Sequence, residues 1–128
     1  MHKNSSNSFI NITNSSNLVI ELFRAIDSSD WQALKEILYA SIIYERPGYA
    51  TFYGLDRLLL FYQMERIIES GKHHIEKIVI EENNGACWGR FIGLNKNGCQ
   101  IDELFAEVYS FEEGKIKTRR SYFFQPAI

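Results

Sequence analysis

The chain has 128 residues, with 14 basic and 16 acidic side chains and a formal net charge of −2. A chain of this length forms one domain, which buries roughly two thirds of its unfolded surface without needing disulfides or metals. The near-neutral balance excludes a strongly basic nucleic-acid binder, and two cysteines are too few for a disulfide scaffold or a four-ligand zinc site.

The N-terminal segment is rich in Asn, Ser and Thr and contains few apolar residues. It lacks the apolar stretch of a signal peptide, and it cannot bury enough surface to offset the entropy lost on ordering. We therefore expect residues 1–16 to form a flexible tail and residues 17–128 to form a single domain. No segment approaches the ~20 apolar residues of a membrane helix, so we predict a cytoplasmic protein that does not enter a membrane.

The first half of the chain has mainly helical periodicity. An apolar stripe that follows Asn17, a favourable N-cap, indicates a helix that ends near Asp27. Ser29 followed by Gln32 is a capping-box pattern and predicts the start of a second helix. A third, longer helix is predicted over residues 55–70.

Strand patterns dominate the second half. Residues 39–44 predict a short strand that stops at Pro47-Gly48, and four further strands are predicted after His73. The turn pairs that separate these four strands are Asn84-Gly85, Asn97-Gly98 and Glu113-Gly114. The order α-α-β-α-β-β-β-β predicts an α+β domain, in which helices pack on one face of a mainly antiparallel sheet.

Three short segments carry a resemblance to a known family. They are FRAIDSSDW at residues 23–31, YERPG at residues 44–48 with a following Gly54, and FEEGKI at residues 111–116. In this order and spacing they resemble the nuclear transport factor 2-like superfamily, and within it the SnoaL-like and ketosteroid-isomerase-like proteins. The resemblance implies a cone-shaped fold, in which a strongly curved sheet wraps the helices and a pocket opens on its concave face. It does not imply one activity, because this fold hosts isomerases, cyclases, hydrolases and non-catalytic binders.

Two of the three positions that resemble the ketosteroid-isomerase site hold unsuitable residues. The position of the general base, just before a proline, matches Arg46, whose guanidinium cannot accept a proton at neutral pH. The position of the oxyanion-hole tyrosine matches Leu22, which cannot donate a hydrogen bond. The position of the protonated carboxylic acid matches Glu107. Steroid isomerisation by that mechanism is therefore not expected.

Alternation along the strands predicts which side chains line the pocket. The inner face of the long strand is predicted to carry Glu103, Phe105, Glu107, Tyr109 and Phe111. The hairpin at Asn84-Gly85 then places Trp88 and Arg90 inward on the preceding strand. Glu107 and Arg90 would meet across the pocket, and such a pair keeps a carboxylate ionised with a low pKa. Two interpretations stay open: a binding or proton-transfer pair, or a structural ion pair that closes the cone.

The catalytic candidates are Glu107 and a histidine. His73 and His74 are adjacent and must point to opposite faces of a strand, and we favour His73 as the inward one. Its unperturbed pKa of about 6.5 suits a general acid or base, while a solvated histidine at the start of a strand is the alternative. Adjacent histidines do not have a metal-binding spacing, so we expect no metal site.

Other residues are candidates for binding a substrate. Inward-facing arginines suit a carboxylate, a phosphate or an enolate, whereas Arg119 is expected to reach the solvent at the rim. Tyr62 is expected to bond Glu107 or the ligand, with a plain core position as the alternative. The predicted substrate-binding residues are Arg46, Arg90, Tyr62, Trp88, Tyr109 and Tyr44.

The resemblance and these residues lead to two functional hypotheses. The first is a cofactor-free isomerase, cyclase or hydratase that acts on a small carbonyl compound by acid–base chemistry. The second is a non-catalytic ligand-binding or accessory protein that holds a small apolar or anionic ligand. A pocket histidine or acid with a near-neutral pKa would favour the enzyme.

The outer face of the sheet is predicted to be apolar. Its expected members are Gly89, Phe91, Gly93, Leu104, Ala106, Val108, Tyr122 and Phe124. An exposed apolar face of this size marks an interface, and many relatives of this fold dimerise through it. We therefore predict a homodimer, with no nucleic-acid partner and with Cys87 and Cys99 as reduced thiols.

Overall fold

Within residues 3–125, which the computed structural model describes, the chain forms three α-helices, one π-helical turn and six strands. Side chains are described from residue 14 onward. The helices are α1 (Lys3–Asp27), α2 (Trp31–Ile37) and α3 (Leu55–Leu60), and α3 continues into the π-turn (Phe61–Glu65). The strands are β1 (Leu38–Glu45), β2 (Phe52–Tyr53), β3 (Ile68–Glu81), β4 (Asn84–Asn95), β5 (Gln100–Glu112) and β6 (Lys115–Phe123).

The strands form a single mixed sheet in the order β2-β1-β6-β5-β4-β3. Strand β1 runs parallel to β6, and all other neighbours are antiparallel. The predicted α+β fold, with helices packed on a mainly antiparallel sheet, is confirmed. The short β2 was not predicted; it forms because the loop before α3 returns to pair with β1.

Two predicted helix starts are wrong. Helix α1 begins at Lys3 and not after Asn17, although the flexibility predicted for the N-terminal tail remains a prediction. Helix α2 is capped by Asp30 and not by Ser29, because the Asp30 carboxylate accepts the Ala33 N–H at 3.1 Å. Ser29 instead adopts a left-handed conformation with φ 56°.

The end of the third helix also differs from the prediction. The helix leaves its α-helical path in the π-turn, where the Arg66 N–H donates to the Phe61 carbonyl at 2.8 Å. The chain then becomes extended and enters β3 at Ile68. Gly71 therefore lies inside a strand and not at a helix end, and a Cβ atom there would lie only 2.2 Å from an aromatic ring. A π-turn often marks a functional site, and this one places Tyr62 and Arg66 beside the cavity described below.

The hydrophobic core lies between the helices and the inner face of the sheet. Helix α1 contributes a stripe of buried residues: Val19, Leu22, Phe23, Ala25 and Ile26. Each large apolar side chain buried in this way contributes roughly 1.5–3 kcal/mol. Packing of this stripe holds the C-terminal end of α1, with Asp27, against the start of β3.

The inner face of β5 agrees with the predicted alternation, since its five predicted members are buried. The predicted inner face of β4 is wrong. Cys87 lies opposite Glu107 in the sheet, so Trp88 and Arg90 lie on the outer face. The turn falls at residues 82–83, before Asn84, and the inner face of β4 has little room. A Cβ atom on Gly89 would lie 2.1 Å from a β3 carbonyl oxygen.

The outer face of the sheet is apolar, with a membership that differs in part from the prediction. Phe91 lies in the core instead, and β4 contributes Trp88, Ile92 and Leu94 to the outer face. The exposed apolar residues there include Trp88, Ile92, Leu94, Leu104, Val108, Tyr122 and Phe124. None of the helices in the described part of the chain is long and apolar enough to cross a membrane.

Candidate functional site

A narrow cavity opens between α1, the π-turn and the inner face of the sheet. Its polar lining residues are Arg46, Tyr62, Arg66, His73, Glu107 and Arg119. Its apolar lining residues are Ile26, Ile68, Phe91, Phe105 and Phe123. The centre of a water molecule can occupy about 10 Å³ of this space, which is room for about one water. The structure therefore brings together four predicted site residues and two, Arg66 and Arg119, that were not predicted to lie there.

Glu107 is buried in a complete set of four hydrogen bonds. The Arg119 guanidinium donates from Nε to Oε1 at 2.7 Å and from Nη2 to Oε2 at 2.8 Å. The Tyr109 hydroxyl donates to Oε1 at 2.8 Å, and the Ser121 hydroxyl donates to Oε2 at 2.5 Å. Burial alone would raise the pKa of Glu107, but the charge and hydrogen bonds of Arg119, with those of the two hydroxyls, hold that pKa below its usual value.

The predicted partner of Glu107 is therefore wrong. Arg90 lies on the outer face, where it is exposed and pairs with Asp102. Arg119, which was expected to reach the solvent, is only 2% exposed. The register explains the exchange: Glu107 faces Ser121 and Tyr109 faces Arg119 across the β5–β6 pair, so Arg119 lies diagonally next to Glu107. The predicted consequence, an ionised carboxylate with a low pKa, agrees with the structure.

Two predicted binding tyrosines lie behind this ion pair and do not line the cavity. The Tyr44 ring lies under the Arg119 guanidinium, 4.2 Å from its central carbon, and the Tyr44 hydroxyl hydrogen-bonds Ser121 at 2.6 Å. Tyr109 contacts Glu107 and is 3.2 Å from the Cys87 sulfur. Both tyrosines contact Arg119 or Glu107 on the side away from the cavity. The predicted binding residue Trp88 lies on the outer face of the sheet, where it is 42% exposed.

His73 faces the cavity and is held by Asp27. Its Nδ1 lies 2.6 Å from Asp27 Oδ1, and its backbone N–H donates to Asp27 Oδ2 at 2.8 Å. The imidazole also packs against the rings of Phe23 and Phe91, with centroids 4.5 and 4.6 Å away. Because a carboxylate accepts the hydrogen on Nδ1, Nε2 is the basic nitrogen left to meet a ligand.

The environment keeps His73 uncharged. Burial lowers the pKa of its imidazole below 6.5, although the hydrogen bond and charge of Asp27 act in the opposite direction. The side chain of His74 lies on the other side of the strand and is exposed. Asp27 was not predicted as a site residue, because its position after an apolar helix stripe indicated only a helix end. Its place in the FRAIDSSDW segment was the available signal.

Tyr62 offers a hydrogen-bond donor to the cavity. Its oxygen accepts a hydrogen bond from Arg119 Nη1 at 2.6 Å, so the predicted direct bond to Glu107 is replaced by one through Arg119. The structure gives its hydroxyl hydrogen no acceptor among the described residues. Burial raises the pKa of Tyr62, so the phenol stays protonated. The ring stacks on Trp31 at 6.1 Å, which fixes its position.

Two further arginines line the cavity. Arg46 is buried and points inward as predicted, with its guanidinium 5.4 Å from the Phe61 ring and 5.0 Å from the Phe123 ring. Its Nη1 donates to the Tyr44 hydroxyl at 3.0 Å. Arg66 was not predicted, because residues 55–70 were assigned to one helix and Arg66 is not among the apolar positions of that helix. The part of the chain with described side chains contains no cluster of three His, Cys, Asp or Glu residues that could hold a metal.

Comparison with solved structures identifies the fold. A candidate SnoaL-like polyketide cyclase from Jannaschia sp. CCS1 has a TM-score of 0.78 and 13% identity, over 88% of this chain and 86% of that one. An LEH-like epoxide hydrolase from M. tuberculosis has a TM-score of 0.76 and 16% identity, over 87% and 83%. A hypothetical protein from Catenulispora acidiphila with a ketosteroid isomerase-like fold, in complex with trimethylamine, has a TM-score of 0.73 and 17% identity, over 82% and 83%.

Comparison of sequences identifies the family. No curated protein matches the chain significantly. The model of the SnoaL-like domain matches residues 19–119, a span that contains Asp27, His73, Glu107 and Arg119. The chain therefore belongs to the SnoaL-like domain family.

Proposed function

We propose that this protein is a cofactor-free enzyme that removes a proton from a carbon next to a carbonyl group. The observation that carries the proposal is the partly buried His73, which is paired with Asp27 and shares a cavity with Arg119 and Tyr62. A general base must be unprotonated at the working pH, which for an imidazole means uncharged, and it must face its substrate. His73 meets both conditions, since burial lowers its pKa and its ring lines the cavity.

Glu107 serves a positioning role in this proposal and is not the base. All four of its hydrogen bonds are made within the protein, and its pKa is lowered. A carboxylate in that state is a weak base and carries no proton to donate. Its interaction with both Nε and Nη2 fixes the plane of the Arg119 guanidinium at the cavity wall.

Arg119 and Tyr62 would stabilise the negative charge that develops on the carbonyl oxygen. Removal of the proton turns the carbonyl into an enolate, and preorganised donors lower the free energy of such a state. Arg119 supplies a positive charge, and Tyr62 supplies a protonated hydroxyl that is polarised by Arg119. An enolate held in this way leads to isomerisation when the proton returns elsewhere, or to cyclisation when the carbon attacks a second carbonyl.

The test is exchange of carbon-bound hydrogen for deuterium, followed by proton NMR in D₂O with a panel of small ketones and oxo acids. We expect the wild-type protein to accelerate exchange and His73→Gln to abolish the acceleration. Asp27→Asn should slow exchange strongly, because it removes the group that orients the imidazole. His74→Gln is the matched control, since the neighbouring histidine is exposed. Equal exchange by wild type and His73→Gln would refute the assignment.

A ligand-binding protein without catalysis is the second candidate. The replacement of the ketosteroid-isomerase base by Arg46 favours it, because a guanidinium cannot accept a proton at neutral pH. A ligand larger than a few atoms would require the cavity walls to move under either function. The same panel distinguishes the two functions. A compound that raises the melting temperature without deuterium exchange in any member of the panel would support the binding protein.

We also propose a homodimer formed through the outer face of the sheet. At least seven large apolar side chains are exposed there, an arrangement typical of an interface. Light scattering with size-exclusion chromatography should give the mass of two chains for the wild type and of one for Val108→Lys with Tyr122→Asp. A monomeric wild type at micromolar concentration would refute the dimer.

A cytoplasmic location is also a proposal. The free thiols of Cys87 and Cys99 are compatible with it, and cell fractionation tests it.

A further inference from the structure

Arg66 is the cavity residue that the proposed chemistry leaves unexplained. It follows the π-turn, and its guanidinium lies 5.4 Å from the Tyr62 ring centroid and 5.8 Å from that of Phe91. Its Nε is buried and has no hydrogen-bond partner among the described residues. Leaving a buried donor of a charged group unsatisfied costs more than a neutral group would, so an occupant of the cavity is expected to satisfy it.

The charge around Arg66 points to the sign of that occupant. The nearby carboxylate of Glu107 is already neutralised by Arg119 at 2.7 Å. Asp27 is held by His73, and no described carboxylate lies within salt-bridge distance of Arg66. A guanidinium surrounded by aromatic rings is stabilised only in part by their π-faces. The cavity therefore contains a cation that has no carboxylate partner among the described residues.

We propose that the substrate of this site carries a carboxylate, which Arg66 binds, next to the ketone whose α-carbon faces His73. This inference rests on the proposed function and adds the class of substrate: a small oxo acid. The apolar wall formed by Ile26, Ile68 and Phe105 would contact its hydrocarbon part. Tyr62, whose hydroxyl hydrogen has no acceptor among the described residues, lies beside Arg66 to bond either the carboxylate or the ketone oxygen.

Size and shape favour a carboxylate over a phosphate. A carboxylate is planar and matches the planar fork of a guanidinium, which donates two parallel hydrogen bonds to it. A phosphate is tetrahedral and larger, so it would displace the cavity walls further than a carboxylate would, and both groups exceed the free volume of about one water. The Tyr62 and Phe91 rings lie 5.4 and 5.8 Å from the guanidinium carbon of Arg66, and a planar group can lie against such flat walls.

The reaction of such a substrate needs no external oxidant, reductant or co-reactant. The His73 imidazole takes a proton from the carbon next to the ketone, and the electron pair of that C–H bond forms a C=C bond. The π electrons of the C=O bond move to the oxygen, which becomes an enolate next to Arg119. Return of the proton from the imidazolium restores the charge state of His73. Arg66 takes no part in the proton transfer and is a substrate-binding residue.

The test compares 2-oxobutanoate with 2-oxobutanamide, which has nearly the same shape but no charge. Binding to the wild type, to Arg66→Gln and to Arg66→Lys is measured by calorimetry, with Arg57→Gln as the control. Arg57 is a partly exposed arginine at the start of the same helical segment, paired with Glu65. Inorganic phosphate is the third probe, and circular dichroism with a thermal melt shows that each variant is folded.

We expect the wild type to bind the acid about 10- to 100-fold more tightly than the amide, the effect of one charge-assisted interaction. Arg66→Gln should lose this preference, Arg66→Lys should keep part of it, and Arg57→Gln should keep all of it. Any of four results would overturn the inference. The wild type binds acid and amide equally, Arg66→Gln keeps the preference for the acid, phosphate binds more tightly than the acid, or the acid does not bind. If Arg66→Gln fails to fold, Arg66→Lys with the acid and the amide decides alone.

The two proposals fail in distinguishable ways. If the acid binds through Arg66 but deuterium exchange is absent, the enzyme proposal fails and the carboxylate site stands. If exchange proceeds equally with the acid and the amide, the enzyme proposal stands and the carboxylate inference is overturned. His73→Gln should retain the Arg66-dependent preference while it loses exchange, because the two residues have separate roles.

Discussion

Replacing Glu107 by Gln should destabilise the protein strongly, although the two side chains have nearly the same shape. Gln has one acceptor oxygen where Glu has two, and its NH₂ group must face an Arg119 N–H in either orientation. At least one Arg119 bond is therefore lost, and the positive charge of Arg119 remains buried at 2% exposure without a counter-charge. Removal of one partner from a buried ion pair costs about 3–5 kcal/mol. For a domain of this size, that corresponds to a decrease in Tm of roughly 10–20 °C.

Urea denaturation followed by circular dichroism measures the effect at pH 7. The matched control is Glu45→Gln, which breaks the exposed pair between Glu45 and Arg120, where Nε lies 2.9 Å from Oε1. Solvent and salt screen that pair, so its loss should leave the free energy of unfolding nearly unchanged. The double variant Glu107→Gln with Arg119→Met should be more stable than Glu107→Gln alone, since it removes the uncompensated charge along with its partner.

The pH dependence gives a further check with a definite sign. The pKa of Glu107 is lower in the folded protein than its usual 4.5, so the unfolded chain binds this proton more readily. The contribution of Glu107 to stability is therefore complete above pH 4.5 and is lost as the pH falls through the lowered folded value. The difference between wild type and Glu107→Gln should shrink in that acidic range. A Glu107→Gln protein as stable as Glu45→Gln at pH 7 would refute the argument for a buried ion pair.

Three further predictions concern other parts of the molecule. The rate of deuterium exchange at the substrate carbon should be nearly constant above pH 7 and should fall below pH 6.5, where His73 begins to bind a proton. Because the pKa of His73 is lowered from 6.5 in the folded protein, the unfolded chain binds that proton first. The free energy of unfolding should therefore also decline below pH 6.5, and His73→Gln should remove this decline. Cys99 is exposed and should react with a thiol reagent in the native protein. Cys87 should react only after unfolding, since burial raises the pKa of the Cys87 thiol to about 12. Equal reaction rates of the two thiols would contradict the burial of Cys87. Gly89→Ala should lower the free energy of unfolding by about 1–3 kcal/mol or more, because its Cβ would lie 2.1 Å from the His74 carbonyl oxygen; an unchanged denaturation midpoint would show that β3 moves freely there.

Alternation and turn residues were sufficient for much of the fold. The five predicted inner residues of β5 are buried, because a strand with one face in the core must alternate. The same rule failed for β4, where a one-residue error in phase moved Trp88 and Arg90 to the wrong face. The inward assignment rested on a turn at Asn84-Gly85, whereas the turn falls at residues 82–83. The structure places Cys87, Gly89 and Phe91 inward instead, since the β3 backbone leaves no room for larger side chains at Gly89.

The sequence by itself determined the α+β class, the order of most elements and the presence of Arg46, Tyr62, His73 and Glu107 at a cavity. These depend on local periodicity, turn residues and family motifs, which a chain carries in linear form. Only the tertiary structure decided the partners: Arg119 for Glu107, and Asp27 for His73. The first depends on the register between β5 and β6, and the second joins residues 46 positions apart through the packing of α1 against β3. Neither contact is encoded by local spacing, because each arises when separate elements meet in the core.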